Sequence, residues 1–153
     1  MISAEHPVRT RLNAEEVSAL IREHFPQVGP DGKRIIIDDV RPRGARLRLP
    51  ETPEHLRPGG TISGPSMVML ADVGIYVAIL ATLGTPALQA VTTSLNINFL
   101  TRPAPGELIA EVRLIKVGRR LVVGDVSITC AAGATVLAQA TATYALPPAD
   151  SMR

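Results

Sequence analysis

The sequence predicts an α+β fold in which an antiparallel sheet wraps a long apolar helix, and three observations carry that reading. Residues 63–83, SGPSMVMLADVGIYVAILATL, form an apolar run of helical length with a single charge, Asp72. After Gly84 and Pro86 the pattern changes to strict alternation, and three further strand-like runs follow with glycines between them. Two shorter strand-like runs precede the apolar helix. The order helix, two strands, long helix, four strands places the helices on one face of an antiparallel sheet.

Each element has its own signal. Asn13 followed by Glu16 has the spacing of a capping box, and Val17, Leu20 and Ile21 share one stripe, which predicts a short amphipathic helix to about His24 lying across the outside of the domain. Pro26, Gly29, Pro30 and Gly32 end it. Residues 33–40 and 45–49 read as two strands around Pro42 and Gly44, a first hairpin. Pro53, Pro58, Gly59 and Gly60 make residues 51–63 a loop that delivers the chain to the long helix. Pro65 suits the first helical position, with Gly64 as the N-cap.

Beyond the helix, Val91, Thr93, Leu95, Ile97 and Phe99 alternate with Thr92, Ser94, Asn96 and Asn98, the pattern of a half-buried strand. Residues 107–117, 120–130 and 134–144 are the remaining strands, with Gly118 and Gly133 at the turns. In the last two, Val122, Val126, Ile128 and Cys130 face one way, as do Val136, Ala138, Ala140, Ala142 and Tyr144. Small residues of this kind suit a sheet lying close to a helix. The expected organisation is an extension with a short helix at residues 1–32, one folded domain at 33–146 and a frayed tail at 147–153.

Composition narrows the function. With 46% hydrophobic residues in 153, one domain can bury a real core, and with 3% aromatics that core is aliphatic. So few aromatics provide no stacking platform for single-stranded nucleic acid, and a net charge of +2 is a weak field for a nucleic-acid binder. Cys130 is the single cysteine, and no Cys/His cluster of metal-binding spacing exists, so neither a disulfide nor a metal is expected. The first residues lack the apolar stretch of a signal peptide, which points to the cytoplasm. The long helix contains Asp72 and Gly74 and leads into amphipathic strands, so it reads as a core helix and not a membrane span.

Asp72 is the clue to function. An isolated ionised carboxylate among aliphatic side chains costs several kcal/mol or more, so it must face a cleft or a subunit interface. The plain alternative is a buried acid hydrogen-bonded to strand hydroxyls such as Thr92 or to backbone. Ser63 before Gly-Pro is an ordinary cap residue or a group facing substrate. Thr61 is a weaker candidate in the same loop, and His55 there could reach the site, although a loop histidine is expected to be solvated; His6 and His24 look peripheral.

This layout, with SGPSMVMLAD opening the central helix, LNINFLTRPAPGELIAEVRLIKVGRRLVVGDVSIT after it and ATVLAQATATYAL closing the sheet, resembles the hotdog-fold acyl-CoA thioesterases, in particular the phenylacetate-degradation (PaaI-like) branch. The resemblance spans roughly residues 33–146. In that branch a His-Gly-Gly motif introduces the helix and an acid nine positions after the His does the catalytic work. Here Ser63 stands at the His, Gly64 at the first Gly, Pro65 at the second and Asp72 at the acid. The family's Asn six positions before the His is Arg57, and its supporting Ser or Thr after the helix is Thr92.

The resemblance implies hydrolysis of an acyl- or aryl-CoA thioester, with Asp72 as base or nucleophile and backbone N–H groups around Gly64 as the oxyanion hole. Catalytic candidates are therefore Asp72, Gly64, Thr92 and Ser63. Arg57, Thr61, Pro65, Arg102, Arg119 and Arg120 are candidate contacts to substrate and its coenzyme A phosphates, which arginine suits through paired donors. Coenzyme A arrives as part of the substrate, so no cofactor is expected. At about 1.5 Å rise per residue, Asp72 lies some 12 Å along the helix from Gly64, too far to meet one carbonyl. The site is therefore expected across the two-fold interface of a homodimer, itself paired into a homotetramer. A small-molecule acyl-CoA is the expected partner, with no nucleic acid or membrane. Two alternatives stay open: a non-catalytic acyl-CoA-binding hotdog domain, which Ser63 and Arg57 in place of His and Asn would suit, and a hydratase or dehydratase, which generally needs a His paired with the acid.

Overall fold

A computed structural model of the chain describes residues 9–28 and 35–148. Helix α1, Ala14–His24, opens with the expected capping box: Asn13 accepts from the Glu16 backbone N–H and Glu16 reaches back to that of Asn13, each at 2.8 Å. It buries Val17 and Ile21 and ends at Phe25, before a 3₁₀ turn at Pro26–Val28. Gly29, Pro30, Gly32 and the start of the first expected strand, residues 33–34, fall outside the described residues, as does His6.

Six strands follow: β1 (Ile36–Arg41), β2 (Gly44–Leu49), β3 (Val91–Phe99), β4 (Leu108–Val117), β5 (Leu121–Cys130) and β6 (Val136–Ala145). They form one antiparallel sheet in the order β1-β2-β4-β5-β6-β3. The tight turn between β1 and β2 is Pro42-Arg43, and Arg43 carries the positive φ of 58°. Gly44, expected at the turn, begins β2 instead.

Helix α2, Gly64–Leu83, lies along the concave face of this sheet. It is apolar on all sides, so it belongs inside the fold, and the sheet covers most of it. Close approach is enabled by two glycines. A Cβ at Gly74 would stand 2.9 Å from Val112 Cγ2, and one at Gly124 would stand 3.1–3.2 Å from three side-chain atoms of Ile75. The alanine row of β6, Ala138, Ala140 and Ala142, completes the same fit. This is the hotdog arrangement, a sheet rolled around its helix.

Three expectations need correction. Ser63, and not Gly64, is the N-cap: its side chain accepts from the Ser66 N–H, and Gly64 and Pro65 are the first two helical residues. A hydroxyl that can accept a bond displaces glycine from that position. Val136 is 38% exposed while its neighbour Leu137 is buried, because a register shift between Ile128 and Thr129 lets Ala138 follow Val136 in the pairing and skips Leu137. Finally, β3 is not half-buried along its length: Val91 and Phe99 are 59% and 52% exposed. It is one of the two edge strands, bonded to β6 on one side alone.

On the convex face, Arg46 and Glu111 pair across β2 and β4 at 2.7 Å, Arg41 joins the same carboxylate at 2.7 Å, and Arg48 meets Asp38 at 2.8 Å. The Asp38 hydrogen bond raises the Arg48 pKa and that of Glu111 the Arg41 pKa. Such exposed pairs contribute little stability and keep this face hydrated.

Candidate active site

The sheet leaves one stripe of α2 uncovered. Pro65, Met69, Asp72 and Tyr76, spaced by four, three and four residues, are its incompletely buried positions, with Val68 beside them. The helical period thus places the one charge of α2 on its incompletely buried side, where the start of β3 and the end of β6 meet it. This stripe lines a groove of about 830 Å³, closed by Leu88 to Thr92 before and at the start of β3, by Tyr144 on β6, and by His24, Phe25 and Val28 at the end of α1. His24, expected to be peripheral, is part of the wall.

Asp72 is held by two hydroxyls. Thr92 Oγ1 and Tyr144 Oη both donate to Asp72 Oδ1 at 2.7 Å, and Tyr144 also donates to the Asp72 backbone oxygen at 2.8 Å. Asp72 Oδ2 accepts no hydrogen bond among the described residues. One oxygen therefore anchors the carboxylate and the other carries no bond from the described residues. Burial, with the Asp72 charge adding to it, pushes the Tyr144 phenol far above its usual value, so Tyr144 is a donor at all working pH.

Tyr144 is not among the site residues that the sequence singles out. Its signal lies in the alternation of β6, which places it inward, but nothing in the sequence says that β6 pairs with β3 so that Tyr144 stands opposite Thr92. Tyr76 stacks on Tyr144 with ring centres 6.3 Å apart and planes 15° apart, and Phe25 meets Tyr76 edge-on at 6.4 Å. Tyr76 Oη donates to the Leu88 carbonyl at 2.6 Å, and burial raises its pKa. These rings form an aromatic wall next to Asp72.

The other sequence candidates gather elsewhere. Arg57, Thr61, Gly64 and Arg102 line a second cavity of about 470 Å³ with Met67 and Phe99. Thr61 Oγ1 is buried there and has no hydrogen-bond partner among the described residues. Within one protomer, therefore, Asp72 and Gly64 open into different cavities. Arg119 and Arg120 lie exposed at the β4–β5 turn and line neither, although the pairing of Leu121 with Ala145 and Ala145 with Val91 puts that turn at the Thr92 end of the sheet. Pro65 lines the Asp72 groove.

Ser63 sits in a chain of three polar groups. Its Oγ donates to Ser66 Oγ at 3.0 Å, and Ser66 Oγ stands 2.9 Å from His55 Nδ1. His55 is buried at 3% exposure, against the expectation of a solvated loop histidine, because the 3₁₀ turn Pro53–His55 folds it against the start of α2 and Ser63 N–H bonds to its carbonyl. Among the described residues no three His, Cys, Asp or Glu side chains gather as a metal site would need.

Comparison with known proteins agrees with this geometry. The thioesterase superfamily model matches residues 59–137. A Halobacterium salinarum protein provisionally named an esterase is 30% identical over 124 residues, which is 78% of this chain and 82% of that one. A Silicibacter structure provisionally named a thioesterase is 39% identical and superposes with a TM-score of 0.84, covering 94% of this chain and 97% of the other. The Escherichia coli PaaI protein of the phenylacetic acid degradation operon shares the fold at 19% identity, TM-score 0.74, over 88% and 93% of the two chains. The match of the family model across residues 59–137 makes this chain a member of the thioesterase superfamily, with PaaI-like structural relatives.

Proposed function

We propose that the protein hydrolyses acyl-CoA thioesters with Asp72 as the acting carboxylate, and the observation that carries this reading is the asymmetry of that carboxylate: Asp72 lines an apolar groove with Oδ1 fixed by Thr92 and Tyr144 and Oδ2 free of hydrogen bonds among the described residues. As a base, Asp72 Oδ2 takes a proton from water as the water oxygen bonds to the thioester carbonyl carbon. The carbon–sulfur bond then breaks and the proton passes to the departing sulfur, giving a carboxylic acid and free coenzyme A. As a nucleophile, the same oxygen attacks the carbonyl carbon, and the carbon–sulfur bond breaks to release coenzyme A thiolate and leave an acyl anhydride. Water then cleaves the anhydride to the free acid and the Asp72 carboxylate while its proton goes to the thiolate. Both routes require donors where negative charge grows on the carbonyl oxygen. Gly64 N–H, at the N-terminus of a 20-residue helix, is the candidate donor.

Gly64 and Asp72 meet across a homodimer. Support comes from the two ends of β3: Thr92 is bonded to Asp72, and the Phe99 ring packs on Gly64, 3.4 Å from where a Cβ would stand. An antiparallel two-fold pairing of two β3 edges brings one protomer's Asp72 end beside its partner's Gly64 end. The exposed apolar side chains of Val91, Phe99 and Leu100 and the unpaired edge of β3 are what such pairing would cover. The reaction uses no cofactor beyond the coenzyme A of the substrate, and Arg57 and Arg102, or Arg119 and Arg120, are the candidate contacts to its phosphates. Light scattering at micromolar concentration tests the assembly: a dimer or larger is expected, and a strict monomer would overturn the shared site.

A second reading, an acyl-CoA-binding domain without turnover, is favoured by one observation: Ser63 and Arg57 stand where the family's His and Asn do. Calorimetric binding of an acyl-CoA that is never cleaved would select it.

A further inference from the structure

The chain of polar groups behind Ser63 takes no part in the attack of water or the departure of the thiol, yet it begins where the family's imidazole is missing. We propose that His55 and Ser66 are positioning residues that turn the Ser63 hydroxyl toward the substrate as a second donor to the thioester carbonyl oxygen. This rests on the thioesterase reading above.

The heavy atoms are fixed: Ser63 Oγ, Ser66 Oγ at 3.0 Å, His55 Nδ1 at 2.9 Å beyond it. The protons are not, because hydroxyls rotate and the imidazole has two tautomers. With Nε2 protonated, Ser63 donates to Ser66, Ser66 donates to His55 Nδ1, and the whole chain points inward. With Nδ1 protonated, His55 donates to Ser66, Ser66 donates to Ser63, and the Ser63 proton is released outward. Ser63 Oγ then still accepts from Ser66 N–H, 3.3 Å away. Two bonds hold the oxygen and its own proton is free for an acceptor. Apart from the exchange of the imidazole proton between its two nitrogens, only hydrogen bonds change.

Burial decides where such a switch can act. His55 and Ser66 are 3% and 8% exposed, so neither touches substrate. Ser63 is half-buried between Ile62 and Gly64, both of which line the second cavity, and the Gly64 N–H belongs to the N-terminus of α2. A second hydroxyl lies in the same loop: Thr61 Oγ1 is buried and unpaired among the described residues, and Thr61 lines the cavity that holds Gly64. An acyl-CoA carbonyl placed between Gly64 and the Asp72 of the partner protomer would meet the Ser63 hydroxyl from this side. The imidazole thus stays in the site's chemistry although it is withdrawn from the helix entrance by two hydroxyls.

The test compares wild type with Ser63→Ala, Ser66→Ala, His55→Gln and the double variant Ser63→Ala/Ser66→Ala, reading kcat and KM for one hydrolysed acyl-CoA and the melting temperature of each. Loss of one oxyanion donor costs on the order of 10²-fold in kcat, so Ser63→Ala is expected to lose about that much with KM little changed. Ser66→Ala should lose roughly tenfold, Ser66→Thr, which keeps the hydroxyl, should recover most of it, and the double variant should be no slower than Ser63→Ala alone. A Ser66→Ala loss that persists in the Ser63→Ala background, or that follows the melting temperature, would show a merely structural role. Wild-type kcat in Ser63→Ala while Asp72→Asn is dead would overturn this inference and leave the thioesterase reading intact. Failure of wild type to cleave any ester would overturn both. If Ser66→Ala does not fold, His55→Gln, alone and combined with Ser63→Ala, tests the same coupling with the same two outcomes.

Discussion

Thr92 on β3 and Tyr144 on β6 stand opposite one another in the sheet, and both donate to the same oxygen of the same carboxylate, Asp72 Oδ1, at 2.7 Å. A strand pair thus fixes the rotamer of a residue on the helix it wraps. Position alone would let Asp72 swing within its groove. Two donors on one oxygen leave the other free of hydrogen bonds among the described residues.

Removing either donor should slow the reaction more than it weakens the fold. Tyr144→Phe and Thr92→Val are each expected to lower kcat about tenfold and to reduce stability by about 1 kcal/mol. Parallel steady-state kinetics and chemical denaturation check this. An unchanged kcat in both would mean that the orientation of Asp72 is immaterial.

A site shared across a two-fold axis makes a prediction no monomeric site can imitate. Asp72→Asn and Gly64→Pro, which removes the Gly64 N–H at a position where proline is tolerated, should each be inactive as homodimers. Mixed and allowed to exchange subunits, they should recover about a quarter of wild-type activity, since half the dimers are mixed and each of those has one intact site. Activity that never rises above the parents under proven exchange would place both residues in one protomer's site.

The close approach of α2 to the sheet predicts a stability defect far from the chemistry. Gly124→Val puts a branched side chain where even a Cβ lies 3.1–3.2 Å from Ile75, and should cost about 2–3 kcal/mol by overpacking. Thermal denaturation reads it directly. A wild-type melting temperature would show that the helix has room to move away.

Alkaline stability follows from the buried phenols. Burial first, and for Tyr144 the Asp72 charge, raise the pKa values of Tyr144 and Tyr76 above the ordinary 10.0 that they regain on unfolding. A raised folded pKa contributes stability that is complete below pH 10 and is lost as pH climbs above it, because the unfolded chain releases protons that the folded chain retains. Denaturation midpoints should therefore fall between about pH 10 and 12, and less steeply in Tyr144→Phe. An equal fall in wild type and variant would contradict the assignment.

Much of this is legible in the sequence, for identifiable reasons. The apolar run with its lone Asp72, the Asn13 and Glu16 box and the alternation of β4 to β6 are local signals, and local physics sets them. Most of what stays unread is non-local. The exposure of Val91 and Phe99 depends on β3 being an edge, which alternation cannot tell. The roles of Tyr144 and His55 depend on which strand lies beside β3 and on how a Pro-Gly loop folds back. Ser63 rather than Gly64 caps α2 because a side-chain acceptor beats conformational freedom there, a competition within a single turn that composition leaves undecided.

Whether Asp72 hydrolyses a coenzyme A thioester is read from one assay, the release of free thiol from a panel of aryl, short-chain and long-chain acyl-CoA esters with wild type and Asp72→Asn side by side. Wild type should cleave at least one class, and the variant, with its fold unchanged, should lose roughly 10²- to 10⁴-fold of that rate. Equal turnover by the two proteins, or none by wild type on any ester, would contradict a catalytic Asp72.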